Sequence, residues 1–154
     1  MNVNHSNNTI TETACKVTDE ICLPDSNLPR VVIIGGGFAG LAMVEKLKHK
    51  EVQVVLLDKN NFHQFQPLLY QVATSALEPD SIVFPFRKQI NGYKNVFFRL
   101  AEVVEIQPDS NTILTNKGSV SYDYLVLATG TTTNFFGMDS VAENSLGMKD
   151  IRDS

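Results

Sequence analysis

Val31-Val32-Ile33-Ile34-Gly35-Gly36-Gly37-Phe38-Ala39-Gly40 opens the stretch that decides the fold, which runs on through Leu41–Lys50 to Gln53-Val54-Val55-Leu56-Leu57-Asp58. Four consecutive β-branched apolar residues make a short strand of the kind buried on both faces of a parallel sheet. Glycines follow at once in the spacing Gly35-x-Gly37-x-x-Gly40. Phe38, Leu41, Val44 and Leu47 then recur every three residues, while Lys46, Lys48 and Lys50 fall largely off that stripe, as in a helix lying on a sheet. A second apolar strand ends in a lone acid, Asp58, 18 residues after Gly40. Strand, tight turn, helix, strand and acid thus form one βαβ unit.

Each part of that unit has a physical task if a dinucleotide binds there. Gly35 allows the sharp turn out of the strand, Gly37 removes a Cβ that would keep a pyrophosphate off the backbone, and Gly40 lets the helix pack close to the strand. The helix N-terminus offers unpaired N–H groups and a partial positive charge. Asp58, at the carboxyl end of the second strand, can accept hydrogen bonds from ribose hydroxyls, and its charge would repel a 2′-phosphate. The fingerprint alone does not separate FAD from NAD.

The 154 residues have room for one domain, and 43% hydrophobic with 19% charged residues suffices for a packed core. A formal net charge of −4 with no basic face argues against a nucleic-acid partner. The longest nearly uninterrupted apolar run, residues 31–44, is too short to span a bilayer and holds the glycine turn.

Residues 1–29 are rich in Asn, Thr, Ser and Asp and carry no sustained periodicity, secretory signal or Arg-rich leader, so they are expected to form a mobile tail. His5 reads as a solvated tail residue. Cys15 and Cys22 have six residues between them, a spacing that fits neither CxxC redox chemistry nor a zinc half-site, and two free thiols are expected. No metal site is expected.

After Asp58 the chain passes Lys59 and two asparagines, a turn signal, and reaches Phe62-His63-Gln64-Phe65-Gln66-Pro67-Leu68-Leu69-Tyr70, read first as neither strand nor clean helix. Pro67 fits the first turn of a helix over Leu68, Leu69, Val72 and Ala73. From the residues alone, this segment suits ordinary core packing and the lining of a flat apolar ring equally. His63 has no visible acid or cysteine partner, so it reads as structural or solvent-facing, not as a base. Residues 75–80 read as a loop, and Phe86-Arg87-Lys88-Gln89-Ile90 as a short helix ending near Asn91-Gly92.

Val96-Phe97-Phe98 is another buried-type strand. The segments 101–107, 112–115 and 119–122, separated by Pro108-Asp109-Ser110-Asn111 and Asn116-Lys117-Gly118, predict an antiparallel three-stranded meander. Residues Tyr124 to Ala128 predict one more central strand, and its exit through Ala128-Thr129-Gly130 is small enough to admit a ligand backbone or to be a plain loop. Residues 131–154 read as loop.

Taken in order, the Gly35–Gly40 fingerprint, Asp58-Lys59, the Phe65-to-Tyr70 segment, the meander and Tyr124-to-Gly130 resemble the amino-terminal part of a type II NADH dehydrogenase, a single-chain flavoprotein of the pyridine-nucleotide–disulfide oxidoreductase superfamily. The fingerprint and Ala128-Thr129-Gly130 are superfamily-wide, and the proline-dileucine segment narrows the likeness. The resemblance implies an α/β fold: a Rossmann-like FAD-binding domain with a parallel sheet and the meander, over residues 30–154 and incomplete. It implies FAD at the first fingerprint, with Gly35, Gly36, Gly37, Phe38, Ala39 and Gly40 cradling the pyrophosphate and Asp58 on the adenosine ribose, Lys59 beside it. Gln66, Pro67 and Leu68 would approach the isoalloxazine, Val103 the adenine edge, and Ala128, Thr129 and Gly130 the diphosphate.

The implied activity is non-proton-pumping NADH:quinone oxidoreduction in a respiratory chain, with NADH and quinone as substrates and no acid or base required of these residues. The implied location is cytoplasmic, with the parent enzyme peripheral on the cytoplasmic face of the inner membrane through a carboxyl-terminal part, and a homodimer among its assemblies. A second glycine-rich unit for NADH is expected beyond Ser154, and this chain alone is expected to be inactive. Rival readings are a FAD-dependent ferredoxin, nitrite or sulfide–quinone reductase, or a non-catalytic nucleotide-binding module. Sulfide enzymes use cysteines near the flavin, whereas the cysteines here lie in the tail.

Overall fold

The computed structural model describes residues 19–145 and 147–152. Its centre is a four-stranded parallel sheet of β1 (Arg30–Ile34), β2 (Gln53–Asp58), β5 (Val96–Leu100) and β9 (Tyr124–Leu127) in the order β5-β2-β1-β9. Val31 lies opposite Val54 and Tyr124, and Ile34 opposite Leu57 and Leu127. Between β1 and β2 runs α1 (Phe38–Leu47), the crossover that a parallel pair needs.

Strand residues alternate between two cores because successive side chains point to opposite faces. Val31, Ile33, Val54, Leu56, Val96 and Phe98 pack against Val44 of α1 and against Phe86, which opens the short helix α3 (Phe86–Gln89). Val32, Ile34, Val55 and Leu57 pack on the other face against Ile113 and Val120. Those two residues belong to an antiparallel sheet of β6 (Val103–Gln107), β7 (Thr112–Thr115) and β8 (Gly118–Ser121). The molecule is therefore layered: helix, parallel sheet, meander. Continuous apolar strands make sense only because both faces are covered.

The excursion from β2 to β5 carries β3 (Phe62–Gln64) and β4 (Val83–Pro85), an antiparallel pair, with α2 (Leu69–Ala73) between them. Leu69, Val72 and Ile82 form a third, smaller cluster beneath it. Pro67 sits in a 3₁₀ turn, Gln66–Leu68, that leads into α2, as its fixed φ suits. The strand at residues 62–64 was not expected; its partner lies some twenty residues downstream, beyond the reach of local pattern.

Four further expectations are corrected. Residues 19–29 are part of the fold and not a mobile tail: Ser119 and Ile21 exchange backbone hydrogen bonds with Asp19 and Ser119, and Ile21 and Leu23 pack on the meander-side core. The buried Gln53 donates to the Pro24 carbonyl at 2.7 Å and accepts from Arg30 Nε, also at 2.7 Å. Residues 1–18, with His5 and Cys15, lie outside the described residues. Cys22 is not a free thiol but is disulfide-bonded; a polar, docked segment hides such a bond from spacing rules, which recognise only short motifs. β9 lies at an edge of the parallel sheet, with Tyr124 and Leu127 mostly exposed, since an apolar run of four residues reads alike at the centre and the margin. The 131–154 stretch holds a short helix, α4 (Asp139–Glu143), and residues 147–152 fold back to the sheet's carboxyl end.

Candidate functional site

The carboxyl ends of β1, β2 and β9 open into a cleft of about 1020 Å³, the position where open α/β sheets take their ligands. Its floor is Ile34, Leu57 and Leu127, and the glycine turn forms one wall. Gly35 continues the sheet by donating to the Leu57 carbonyl at 2.8 Å and then turns at φ +100, a conformation a side chain resists. A Cβ there would meet the Ala128 carbonyl oxygen at 2.4 Å, so β9 packs directly on the turn. A Cβ at Gly40 would sit 1.9 Å from the Gly35 carbonyl oxygen, which explains why the helix can start so close to the strand. Gly37 differs: a Cβ there would meet nothing within 4 Å. The space a side chain would fill at Gly37 opens on the cleft.

Asp58 does local work. One carboxylate oxygen accepts the Gly36 N–H at 2.6 Å and the other the Asn60 N–H at 2.7 Å. Each oxygen keeps a further acceptor site, so the group can brace the turn and still receive a hydroxyl. The carbonyl of Gly36 contacts Nδ1 of His63 at 3.0 Å, and the buried His63 ring stands edge-on to Phe38 with centroids 5.1 Å apart. Phe38 was expected on the buried stripe of α1. It is instead 49% exposed and meets Phe65 in a second edge-on contact, because it opens α1 at the lining of the cleft.

Of the residues singled out in the sequence, Gly35, Gly36, Gly37, Phe38, Ala39, Asp58, Lys59, Gln66, Val103, Ala128, Thr129 and Gly130 line the cleft together. Gly40 lies behind the turn and shapes it. Pro67 and Leu68 are not in the lining, and Leu68 packs on the cluster of Leu69, Val72 and Ile82. The sequence reading missed residues 147–152. There the Lys149 carbonyl accepts from Gln64 Nε2 at 2.6 Å and Gln66 Nε2 at 3.3 Å, and Lys149 Nζ donates to Thr131 Oγ1 at 2.7 Å. The Ile151 N–H returns a bond to Gln64 Oε1 at 3.1 Å, and Arg152 reaches Asn60 Oδ1 at 3.1 Å. No local periodicity marks this strap.

No group of three or more His, Cys, Asp or Glu side chains suited to a metal exists among the described residues. Three ionisable groups outside the cleft lining are shifted from their ordinary values. Glu45 is held below its ordinary value by the Lys48 ammonium, Lys48 is raised in turn, and burial lowers Arg99. The cleft therefore offers a place for a long, partly apolar ligand.

A glycine turn open at one residue, an acid closing the second strand and a sheet crevice of this size define a dinucleotide-binding α/β domain. The chain belongs to the pyridine nucleotide-disulphide oxidoreductase family, whose model matches residues 29–154. A type II NADH:quinone oxidoreductase of Mycobacterium tuberculosis is 40% identical over 129 residues, covering 81% of this chain and 28% of that protein. A mitochondrial external alternative NAD(P)H-ubiquinone oxidoreductase of Arabidopsis thaliana is 34% identical, over 81% of this chain and 23% of its own length. Among solved structures, NDH2 from Plasmodium falciparum in complex with NADH superposes with a TM-score of 0.74 at 26% identity, over 81% of this chain and 27% of that one. The sulfide:quinone oxidoreductase of Aquifex aeolicus gives 0.74 at 29% identity, over 81% and 29%. The chain thus spans between a quarter and a third of most of these relatives.

Proposed function

We propose that the cleft is the FAD site of a type II NADH:quinone oxidoreductase, of which this chain forms the amino-terminal FAD-binding part. The observation that carries the reading is the open face of Gly37 at the start of α1, where a diphosphate can approach the backbone as a side chain would not allow. The cleft volume suits an extended dinucleotide, being at the top of the range for small-molecule sites.

When bound, FAD would supply the relay of electrons between NADH and quinone, and the residues of this chain would bind and orient it. The N–H groups of the first turn of α1 would receive the diphosphate, and Asp58 would take a ribose hydroxyl with the acceptor sites left after its two backbone bonds. Val103 would offer its backbone to the adenine, and Gln66, which donates to the Lys149 carbonyl, would approach the isoalloxazine. No residue here needs to move a proton. NADH and quinone would meet the flavin through parts of the parent enzyme outside this chain, and membrane attachment and any homodimer belong to those parts. No helix among the described residues is long and apolar enough to cross a membrane.

A sulfide:quinone reductase is the second reading, favoured by the equal structural likeness to the Aquifex aeolicus enzyme. No cysteine among the described residues lines the cleft, which weighs against it. Purified chain mixed with FAD, desalted and examined by absorbance tests the binding claim: retained flavin is expected, and colourless folded protein would sink it. For the parent enzyme, NADH oxidation that rises with added quinone is expected, and sulfide-driven quinone reduction would favour the second reading.

A further inference from the structure

Among the described residues, His63 is the one buried titratable side chain at the cleft to which the proposed chemistry gives no task. Its surroundings give it one. Gly36 contributes to two peptide units, and a side chain grips each of them. Asp58 Oδ2 takes the Gly36 N–H at 2.6 Å, which fixes the Gly35–Gly36 unit. His63 Nδ1 meets the Gly36 carbonyl oxygen at 3.0 Å, which fixes the Gly36–Gly37 unit. A carbonyl only accepts, so Nδ1 carries the hydrogen and donates. The back of Gly36 is closed as well, since a Cβ there would lie 2.1 Å from the buried Phe86 ring.

Peptide units are planar, and no cis bond occurs among the described residues, so the Gly36 carbonyl and the Gly37 N–H point in opposite directions. Holding the carbonyl on His63 turns the Gly37 N–H away from the histidine. Of the four glycines in the turn, Gly37 is also the one at which an added Cβ would meet nothing within 4 Å. We infer that His63 is a positioning residue: by donating Nδ1–H to the Gly36 carbonyl it holds the Gly37 N–H aimed at the diphosphate. The role rests on the flavin reading for the identity of the ligand, but not for the geometry. β3 makes the grip possible, because its pairing with β4 brings His63, 27 residues from Gly36, against the turn.

Asparagine can place its Nδ2 where the histidine has Nδ1, glutamine only where it has Nε2, and phenylalanine keeps the ring without a donor. The test measures FAD affinity of the 154-residue chain by quenching of flavin fluorescence for wild type, His63→Asn, His63→Gln and His63→Phe, with melting of each unliganded protein alongside. Loss of the one hydrogen bond should weaken FAD binding roughly tenfold in His63→Phe and His63→Gln, while His63→Asn stays within about threefold of wild type. Riboflavin, which lacks the diphosphate, should not distinguish the variants. Equal FAD affinity across the set, or His63→Asn as weak as His63→Gln, would overturn the positioning role and leave the flavin site standing. Should the wild-type chain fail to bind FAD, the flavin reading falls, and the Gly37 amide resonance decides the remainder. A response to inorganic pyrophosphate in wild type and His63→Asn but not in His63→Gln upholds the aimed N–H; the same response in all, or none in any, overturns it.

Discussion

The wall of the cleft made by residues 35–40 and Asp58 and the wall made by Gln64, Gln66 and residues 147–152 enclose one space, yet they are held by different forces. In the first, backbone lies on backbone: Gly40 against Gly35, Gly35 against Ala128, each too close for a Cβ. Its supports are Val44, Ile33 and Phe86, buried in the sheet's helix-side core. In the second, the strap hangs on side-chain hydrogen bonds through the two glutamines, Thr131 and Asn60, with Ile151 its one apolar contact to the cluster beneath α2. Close-packed walls fail all at once when volume is added, whereas a wall of surface hydrogen bonds opens locally and cheaply.

The sharpest way to break this contrast is Gly40→Val. With no room beside the Gly35 carbonyl, we expect a loss of about 3 kcal/mol or outright failure to fold, read from urea denaturation. A stable, flavin-binding variant would show that the turn is not close-packed. Gly37→Val comes next and should separate binding from folding within the same wall. Its effect on stability should stay near ~1 kcal/mol, while FAD affinity falls by at least ~10-fold because the side chain occupies the diphosphate's approach.

On the other wall, Gln64→Ala removes both the 2.6 Å bond to Lys149 and the 3.1 Å bond from Ile151. The expected cost is about 1 kcal/mol or less of global stability, with faster amide exchange confined to residues 147–152. Exchange that rises across β1 and β2 instead would mean the strap is coupled to the core.

The smallest effect concerns neither wall and serves as a baseline. The Lys48 ammonium lowers the Glu45 carboxyl below its ordinary value of 4.5, so the pair stabilises the fold above that pH and loses its effect as pH falls through the lowered value. Glu45→Gln should leave the urea midpoint less dependent on pH, as pH falls through and below 4.5, than in wild type. Glu45 is exposed and Lys48 only half-buried, so the change should be slight beside those at Gly40, Gly37 and Gln64.

Much of the first wall is legible in the amino-acid sequence. Consecutive apolar residues in β1 and β2, the glycine spacing and Asp58 are neighbours in sequence as well as in space, and each obeys a rule that acts over a few residues. The meander was legible for the same reason, since Asn111 in a left-handed conformation and Gly118 mark its two reversals. The second wall was not. Gln64 meets Lys149 across 85 residues, His63 meets Gly36 across 27, and Asp19 meets Ser119 across 100, so no local pattern carries them. Pro67 and Leu68 show the converse. Their segment helped to identify the family, but in this chain Leu68 serves the small cluster under α2 and does not line the cleft.

The amino-acid sequence by itself determined the βαβ unit, the open glycine at its turn and the family to which the chain belongs, because periodicity, steric freedom and charge act between near neighbours. Only the tertiary structure decided that residues 19–29 dock on the meander, that His63 grips the turn and that residues 147–152 close the far side of the cleft. Those contacts join segments far apart along the chain, and they depend on where the parallel sheet, once formed, leaves its hydrogen-bonding edges and its carboxyl ends.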